Sequence, residues 1–329
     1  VEGEPPRGSR VVSINGMDTH AIRLKLGAYF SGTTEEQQLC HLASSFPAAL
    51  AIIAGMDGPF EVGYIPPGES GAKLVKVDGV GETEPEQEPF SYRQTETGAG
   101  ILALRSFVDP GGSFRAFLKD TFADLARQRT ECLLIDLRGN RGGNTFMGDV
   151  LLSWLTGQPF VQYIRLETTV SREARSRFLS EAPGFIRWFP AQYVHPALKP
   201  LWSARPGSSA VTEYTEKKPL DVEPRFKGKV FILTDAGSMS SSTLLASTAR
   251  KYVGATLVGR TPGGRDTMYG GMAEYYLPNT GLMIELPSAI LYGNTIGSVI
   301  PDFEVYYTQA DLAAVVDTVL EFCLKLCRQ

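Results

Sequence analysis

The sequence has few cysteines and histidines, and it lacks long hydrophobic runs. Its 329 residues include four cysteines and three histidines. Four scattered cysteines are too few for a disulfide framework. No stretch approaches the roughly 18 consecutive apolar residues that a membrane-spanning helix requires. A net charge of −4 and a pI of about 5.6 leave no basic footprint for nucleic acid.

The composition that remains is that of a globular protein able to bury a core. Hydrophobic residues make up 43% of the chain and charged residues 21%. The length suits one large domain or two modest ones. The chain starts at Val1 with neither Met nor the apolar segment of a signal peptide, so we expect a segment to precede it in the parent protein.

Three regions differ in pattern along the chain. Residues 1–80 combine short strand patterns with helical ones and predict a small N-terminal module. Residues 81–98 are rich in Glu and Pro, which predicts an acidic linker or exposed loop. Strands and helices alternate over residues 99–329, which predicts an α/β domain with sites at strand ends.

Hydrophobic periodicity predicts the individual elements. Residues 158–227 are less regular, which predicts a long segment that covers a site. Helices are predicted from about residue 19, over 35–54, 113–129 and 145–157, and from 308 to the terminus, and strands at 11–16, 60–65, 73–77, 100–104, 131–136, 230–234, 255–258, 273–277 and 282–286.

A serine-rich turn over residues 235–243 joins an apolar strand to a buried helix. Such a turn can present one hydroxyl at the positive end of a helix, where nucleophilic serines are often found. Ser240 is the candidate nucleophile. The alternative is a cluster of N-capping serines, since capping hydroxyls satisfy orphan helix donors.

A second glycine-containing loop follows the buried strand at 131–136. Gly142 and Gly143 permit close approach of the backbone to a bound group. Their N–H groups, with that of Ser241, could form an oxyanion hole for a tetrahedral intermediate. The alternative interpretation is an ordinary turn between a strand and a helix.

Five segments, in order, resemble the C-terminal processing peptidases and tricorn-core serine peptidases. They span about residues 99 to 308. A further segment before this range, VSING at 12–16, resembles the second half of a PDZ-like module that these peptidases often carry. The five segments are LIDLRGNRGG at 134–143, VFILTDAGSMSSS at 230–242, ATLVGRTPGG at 255–264, YLPNTG at 276–281 and GSVIPD at 297–302.

The resemblance implies a crotonase-like αβ spiral core and a partial PDZ-like module. It implies hydrolysis of peptide bonds in a peptide or protein substrate through a Ser240 acyl-enzyme. Gly142 or Gly143 and the Ser241 N–H would be the oxyanion donors. It implies no cofactor and no metal, leaves oligomerisation open, and favours a secreted or periplasmic location.

The general base is the part of the site that the sequence does not supply. Processing peptidases use a lysine 25 residues after the serine, but that position is Arg265. Arginine stays protonated near neutrality, so it cannot act as a base. The sequence is therefore closer to the Ser–His branch of the family. That branch places its histidine upstream of the PDZ-like region, which here would precede Val1.

Within the chain, the patterns around His20 and His41 favour structural roles. Of the three histidines, His195 is the least unfavourable candidate for the base, because its irregular segment could fold over the site. Asp302 is a candidate for orienting a base or holding a loop. A turn-forming Asp is the alternative for that position.

A second hypothesis is a non-catalytic relative that binds peptides or apolar ligands. It is motivated by the missing lysine, by the lack of a convincing histidine and by Thr243, which stands where processing peptidases usually have Glu. A third is a scaffold role through the N-terminal module. The order of the five segments favours the peptidase.

Overall fold

The computed structural model describes residues 5–78, 88–181, 199–295 and 299–329. No helix in these ranges is long and apolar enough to cross a bilayer. The helices are α1 (Thr19–Gly27), α2 (Glu35–Ser44), α3 (Phe46–Ala49), a π-helical turn (Leu50–Ala54), α4 (Phe114–Arg127), α5 (Thr145–Leu155), α6 (Arg172–Glu181), α7 (Lys199–Ser203), α8 (Ser241–Val253), α9 (Gln309–Ala314) and α10 (Thr318–Cys327). The strands are β1 (Arg10–Ile14), β2 (Met17–Asp18), β3 (Phe60–Ile65), β4 (Lys73–Val77), β5 (Phe90–Gln94), β6 (Gly100–Leu104), β7 (Cys132–Asp136), β8 (Tyr163–Thr169), β9 (Ser209–Glu213), β10 (Lys229–Thr234), β11 (Thr256–Gly259), β12 (Thr267–Tyr276), β13 (Met283–Gly293) and β14 (Phe303–Glu304).

The N-terminal region folds around a four-stranded antiparallel sheet in the order β2-β1-β3-β4. Asn15 and Gly16 turn the chain between β1 and β2 with φ of 48° and 75°, as an Asn-Gly hairpin turn requires. Asp18 then caps α1 by accepting from the His20 N–H at 2.8 Å. The core of this region comprises Ile14, Ile22, Leu26, Leu42, Ala49 and Leu50.

One helix predicted over residues 35–54 is broken in the structure. α2 ends at Ser44, and α3 restarts at Phe46 with Pro47 in its first turn. Proline has no N–H and cannot continue the hydrogen bonds of α2, but it fits the first turn of a new helix, so the break falls just before Pro47. The apolar spacing continues across the break, which is why the pattern suggested a single helix.

The central sheet has six strands in the order β14-β11-β10-β7-β6-β5. All neighbours are parallel except β5, which runs antiparallel to β6. β5 lies within the predicted linker, so the prediction of a linker reaching residue 98 is wrong for residues 90–94. Phe90 and Tyr92 of β5 pack against the main core, and this burial stabilises the strand in the sheet. Residues 79–87 lie outside the described part of the chain.

Both faces of this sheet are covered, as expected for parallel strands with apolar runs. Alternate residues of β7 and β10 point to opposite sides. Leu133, Ile135 and Ile232 face a large core shared with α4, α5 and α8. Leu134 and Phe231 face a second core, which α10 covers.

A third, antiparallel sheet has the order β12-β13-β8-β9. Its hairpin of β12 and β13 extends beyond the predicted strands at 273–277 and 282–286, because pairing begins at Thr267 and Tyr292. The segment predicted to be irregular, 158–227, contributes β8, α6, α7 and β9. Residues 182–198 of that segment lie outside the described residues.

The single terminal helix that the sequence predicts is two helices. α9 ends at Ala314 and is followed by Val315, whose φ of 56° is left-handed. Asp317 then caps α10 by accepting from the Leu320 N–H at 3.1 Å. A disulfide joins Cys132 at the start of β7 to Cys327 at the end of α10. The spacing of the four cysteines does not predict this pair.

Candidate active site

The serine turn and the glycine loop meet because they follow neighbouring parallel strands. Leu233 of β10 pairs with Asp136 of β7, so both strands end at the same edge of the central sheet. The Met239 N–H then donates to the Asn140 carbonyl at 2.9 Å. Asp235 adds a second link, since its carboxylate accepts from the Gly139 N–H at 2.9 Å.

Ser240 has strained backbone geometry. Its φ of 55° and ψ of −122° lie in a region that residues with a side chain rarely adopt. Such a conformation costs about 1–3 kcal/mol and is typical of functional sites. Ser240 occupies the N-cap position of α8, but its side chain makes no capping hydrogen bond. The capping interpretation therefore does not explain this residue.

The other serines of the turn have structural partners. Ser238 donates to the Leu137 carbonyl at 2.8 Å, and Ser241 to that of Gly143 at 2.6 Å. Ser242 donates to the Asn140 carbonyl at 2.6 Å. Within the described ranges, the Ser240 hydroxyl makes no hydrogen bond, and the residue is half-exposed. One hydroxyl of four is thus available for chemistry.

Two glycines allow the second loop to approach Ser240. Gly142 has a φ of 95°, and a Cβ there would lie 2.7 Å from the Ser240 Cβ. Gly143 has a φ of 136°, and a Cβ there would lie 2.4 Å from the Phe107 carbonyl oxygen. Neither position has room for a side chain, so the backbone itself lines the site.

The structure distinguishes between the two predicted glycine donors. The Gly142 N–H donates to Asn140 Oδ1 at 2.8 Å, so it is already engaged and does not fit the predicted role of oxyanion donor. The buried Asn140 amide is held in turn by the Leu104 carbonyl at 2.9 Å. The N–H groups of Gly143 and Ser241 make no hydrogen bond to any described protein acceptor. Their role as oxyanion donors stays a prediction.

A charged cluster fixes the start of the glycine loop. Arg138 donates to Asp136 and to Asp317, both at 2.8 Å. Burial by itself would raise the pKa of Asp136, but hydrogen bonds and charge from Arg138, and then Arg105, lower it below its ordinary value. Asp136 is therefore anionic at neutral pH and holds both arginines. This arrangement anchors the loop at its first residues.

Helix α2 of the N-terminal region forms a wall of the site. Gln37 donates to Met239 Sδ at 3.0 Å, and Glu36 pairs with Arg260 of the loop after β11. Cys40 lies against the same turn, where burial, followed by the charge of Asp235, raises the pKa of its thiol. The first 44 residues thus contribute side chains to the edge where Ser240 lies.

His41 of α2 also reaches the serine turn. Its Nδ1 is 2.8 Å from the Ser31 carbonyl oxygen, and its Nε2 is 3.2 Å from Met239 Sδ. A carbonyl behind Nδ1 favours the tautomer with the proton on Nδ1, which leaves Nε2 facing the turn. Local sequence pattern could not reveal this contact, because 198 residues separate the two side chains.

Comparison with known proteins identifies the family. The profile of peptidase family S41 matches residues 98–305, more than half of the chain. The chain belongs to peptidase family S41. This S41 chain is accordingly a serine-type peptidase. The alternative of a non-catalytic binding relative receives no support from the match.

Two solved structures of mature CPAF share the fold of this S41 peptidase. Mature CPAF complexed with lactacystin is 15% identical, with a TM-score of 0.66 over 100% of this chain and 78% of that one. Mature CPAF is 15% identical, with a TM-score of 0.64 over 98% and 76% of the two chains. The photosystem II D1 C-terminal processing protease is 14% identical, with a TM-score of 0.43 over 98% and 67%. A comparison with curated proteins gave no significant match.

The two residues predicted as base or orienting group differ in outcome. His195 lies outside the described residues. Asp302 is bound elsewhere: it accepts from the Leu257 N–H at 2.7 Å and pairs with Arg250 at 3.3 Å. Leu257 is in the first half of β11, whereas the site lies beyond the strand ends. These contacts give Asp302 a bracing role, and a role in orienting a base stays a prediction.

Proposed function

We propose that this S41 peptidase cleaves peptide bonds through an acyl-enzyme on Ser240. The single observation that carries the proposal is a strained, unpaired serine among bonded ones at a helix N-terminus. Ser240 Oγ would attack the scissile carbonyl carbon, and the N–H groups of Ser241 and Gly143 would receive the developing oxyanion. One such donor is typically worth about 100- to 1,000-fold in rate.

The proposal also needs a base to accept the Ser240 proton. His41 is our candidate, since its Nε2 faces the turn and its Nδ1 is held from behind by a carbonyl. In this state Met239 Sδ lies against Nε2, so the methionine side chain must move before His41 can reach Ser240. His41 would then return the proton to the leaving amine. A histidine preceding Val1 remains the competing prediction.

The two assignments of the base are separable by experiment. His41→Gln retains a side chain able to reach Met239, but this side chain cannot accept the proton of Ser240. If His41 is the base, acylation of Ser240 by a fluorescent peptide ester falls by about 100-fold or more. Gln37→Ala, which removes another contact to Met239, serves as the matched control. Equal rates for His41→Gln and Gln37→Ala would exclude His41 as the base.

We also propose finer limits for the fold. Residues 99–329 would form a crotonase-like core, and the region before residue 80 a PDZ-like module. The parallel strands β7, β10 and β11 with flanking helices support the first assignment. The hairpin and α1 support the second.

A protein or peptide substrate would then run past Ser240 between α2 and the glycine loop. The Cys132–Cys327 disulfide favours an oxidising compartment.

The function is tested by cleavage of an unfolded protein. Purified chain is incubated with reduced casein, and new amino termini are quantified. Ser240→Ala is expected to abolish cleavage, whereas Ser242→Ala, which removes a bonded hydroxyl two residues away, retains measurable turnover. Cleavage by Ser240→Ala at the rate of the unaltered chain would overturn the proposal.

A further inference from the structure

The loop after β11 carries an arginine whose backbone is fixed beside the serine turn. A Cβ on Gly264 would lie 3.1 Å from the Ser240 backbone nitrogen and 2.6 Å from Thr243 Oγ1. Consecutive Cα atoms are about 3.8 Å apart, so the Cα of Arg265 lies about that far from the Cα of Gly264. Arg265 therefore starts from a position directly next to the proposed nucleophile.

The residue on the other side of Arg265 is fixed as well. Asp266 is fully buried. Its carboxylate accepts from the Ser247 hydroxyl of α8 at 2.7 Å and from the Thr295 N–H at 2.6 Å. Its carbonyl accepts from the Gly293 N–H at 2.9 Å. Gly264 thus lies against the start of α8, and Asp266 is tied to α8, to the last residue of β13 and to Thr295 two residues beyond it.

Arg265 itself is exposed and has no partner among the described residues. A guanidinium group offers five hydrogen-bond donors in a fixed planar fork. The absence of such a partner sets Arg265 apart from the other arginines around the site. Those are engaged: Arg105 with Asp136, Arg138 with Asp136 and Asp317, Arg141 with Ser44, and Arg260 with Glu36.

We propose that Arg265 determines specificity by pairing with a carboxylate of the substrate within a few residues of the scissile bond. This proposal rests on the proposed function of Ser240. The carboxylate is either the side chain of Asp or Glu or the C-terminal group of the substrate. A planar guanidinium matches carboxylate geometry in a bidentate pair. Arg265 acts on binding and does not take part in the chemical step.

The first experiment maps cleavage sites. Reduced casein is digested by the full chain, by Arg265→Gln and by Arg265→Glu, and the new termini are identified by mass spectrometry. The unaltered chain is expected to cut about tenfold more often near Asp, Glu or a free C-terminus than at sites with no carboxylate nearby. Arg265→Gln loses this bias, and Arg265→Glu shifts it toward Lys and Arg. Arg93 is exposed on β5 and has no side-chain partner in the described part of the chain, so Arg93→Gln keeps the bias.

The second experiment does not depend on catalysis. Fluorescent decapeptides of Ala and Leu, carrying either one Glu or one Gln and ending in either an acid or an amide, are titrated against Ser240→Ala. Tighter binding of the Glu peptides assigns the side chain, and tighter binding of the acids assigns the C-terminus. Either preference must disappear in Ser240→Ala/Arg265→Gln.

The outcomes separate this proposal from the one on which it rests. Loss of cleavage in Ser240→Ala with no acidic bias in the unaltered chain would overturn the role of Arg265 alone. Equal binding of all four peptides would do the same. An acidic bias that persists in Arg265→Gln would assign the preference to another residue and reject Arg265. Cleavage that survives Ser240→Ala would reject the nucleophile while the binding titration still judges Arg265.

Discussion

Replacing Gly142 with Ala should separate the geometry of the site from the stability of the fold. A Cβ at this position would lie 2.7 Å from the Ser240 Cβ and 2.9 Å from the Ser241 nitrogen. Two carbons in contact prefer about 3.5–4.0 Å, so one side must shift by about 1 Å. A misplacement of that size can cost about 100-fold in rate. We expect kcat/KM of Gly142→Ala to fall by about that factor.

The matched control is Gly139→Ala in the same loop. Gly139 also has a positive φ, 72°, but nothing lies within 4 Å of its Cβ position. Gly139→Ala should lower the free energy of unfolding by about 1–2 kcal/mol, the cost of left-handed backbone for alanine. Gly142→Ala should lower it by at least as much, because its Cβ also collides with Ser240. Only Gly142→Ala should displace the nucleophile. Urea denaturation measures the first effect and turnover of a peptide substrate the second. Equal turnover by the two variants would refute the reasoning.

Two further predictions concern the framework around the site. Cys327→Ser removes a disulfide that bridges a sequence separation of 195, and should lower the free energy of unfolding in urea by about 2–4 kcal/mol; a difference that persists under reducing conditions would contradict this cause. Burial favours a raised pKa for Asp317, but Arg138 outweighs it and lowers that pKa to about 2. The pair therefore stabilises the fold fully above the ordinary Asp pKa of about 3.9, and this stabilisation is lost as the pH falls toward 2. Asp317→Asn should therefore cost about 1 kcal/mol at pH 7, after allowance for solvent screening of a partly exposed pair, and almost nothing at pH 2. An equal cost at both pH values would show that charge is not the reason.

The sequence predicts the parts of the site that follow from local pattern. The apolar runs of β7 and β10 define buried parallel strands, and parallel neighbours bring the loops after them together. Ser240 and the glycine loop were therefore predictable as one site. The engagement of the Gly142 N–H was not, because it depends on how the Asn140 side chain is held by Leu104.

Long-range contacts account for most of what the sequence does not reveal. The contact of α2 with Met239 joins residues about 200 positions apart, and no periodic pattern encodes it. The same holds for the Cys132–Cys327 bond. The break at Val315 was hidden because apolar spacing from Leu312 to Cys323 suits one helix. It is the pairing of Asp317 with Arg138 that favours a new helix start there.

Labelling with a fluorophosphonate, followed by mass spectrometry of the labelled peptide, tests the central claim most directly. The probe forms a bond with an activated serine hydroxyl and leaves a mass tag on that residue. The account predicts one tag, on Ser240, that is absent from Ser240→Ala and present in Ser242→Ala. A tag on Ser238, Ser241 or Ser242 in the unaltered chain, or equal labelling of Ser240→Ala, would contradict it.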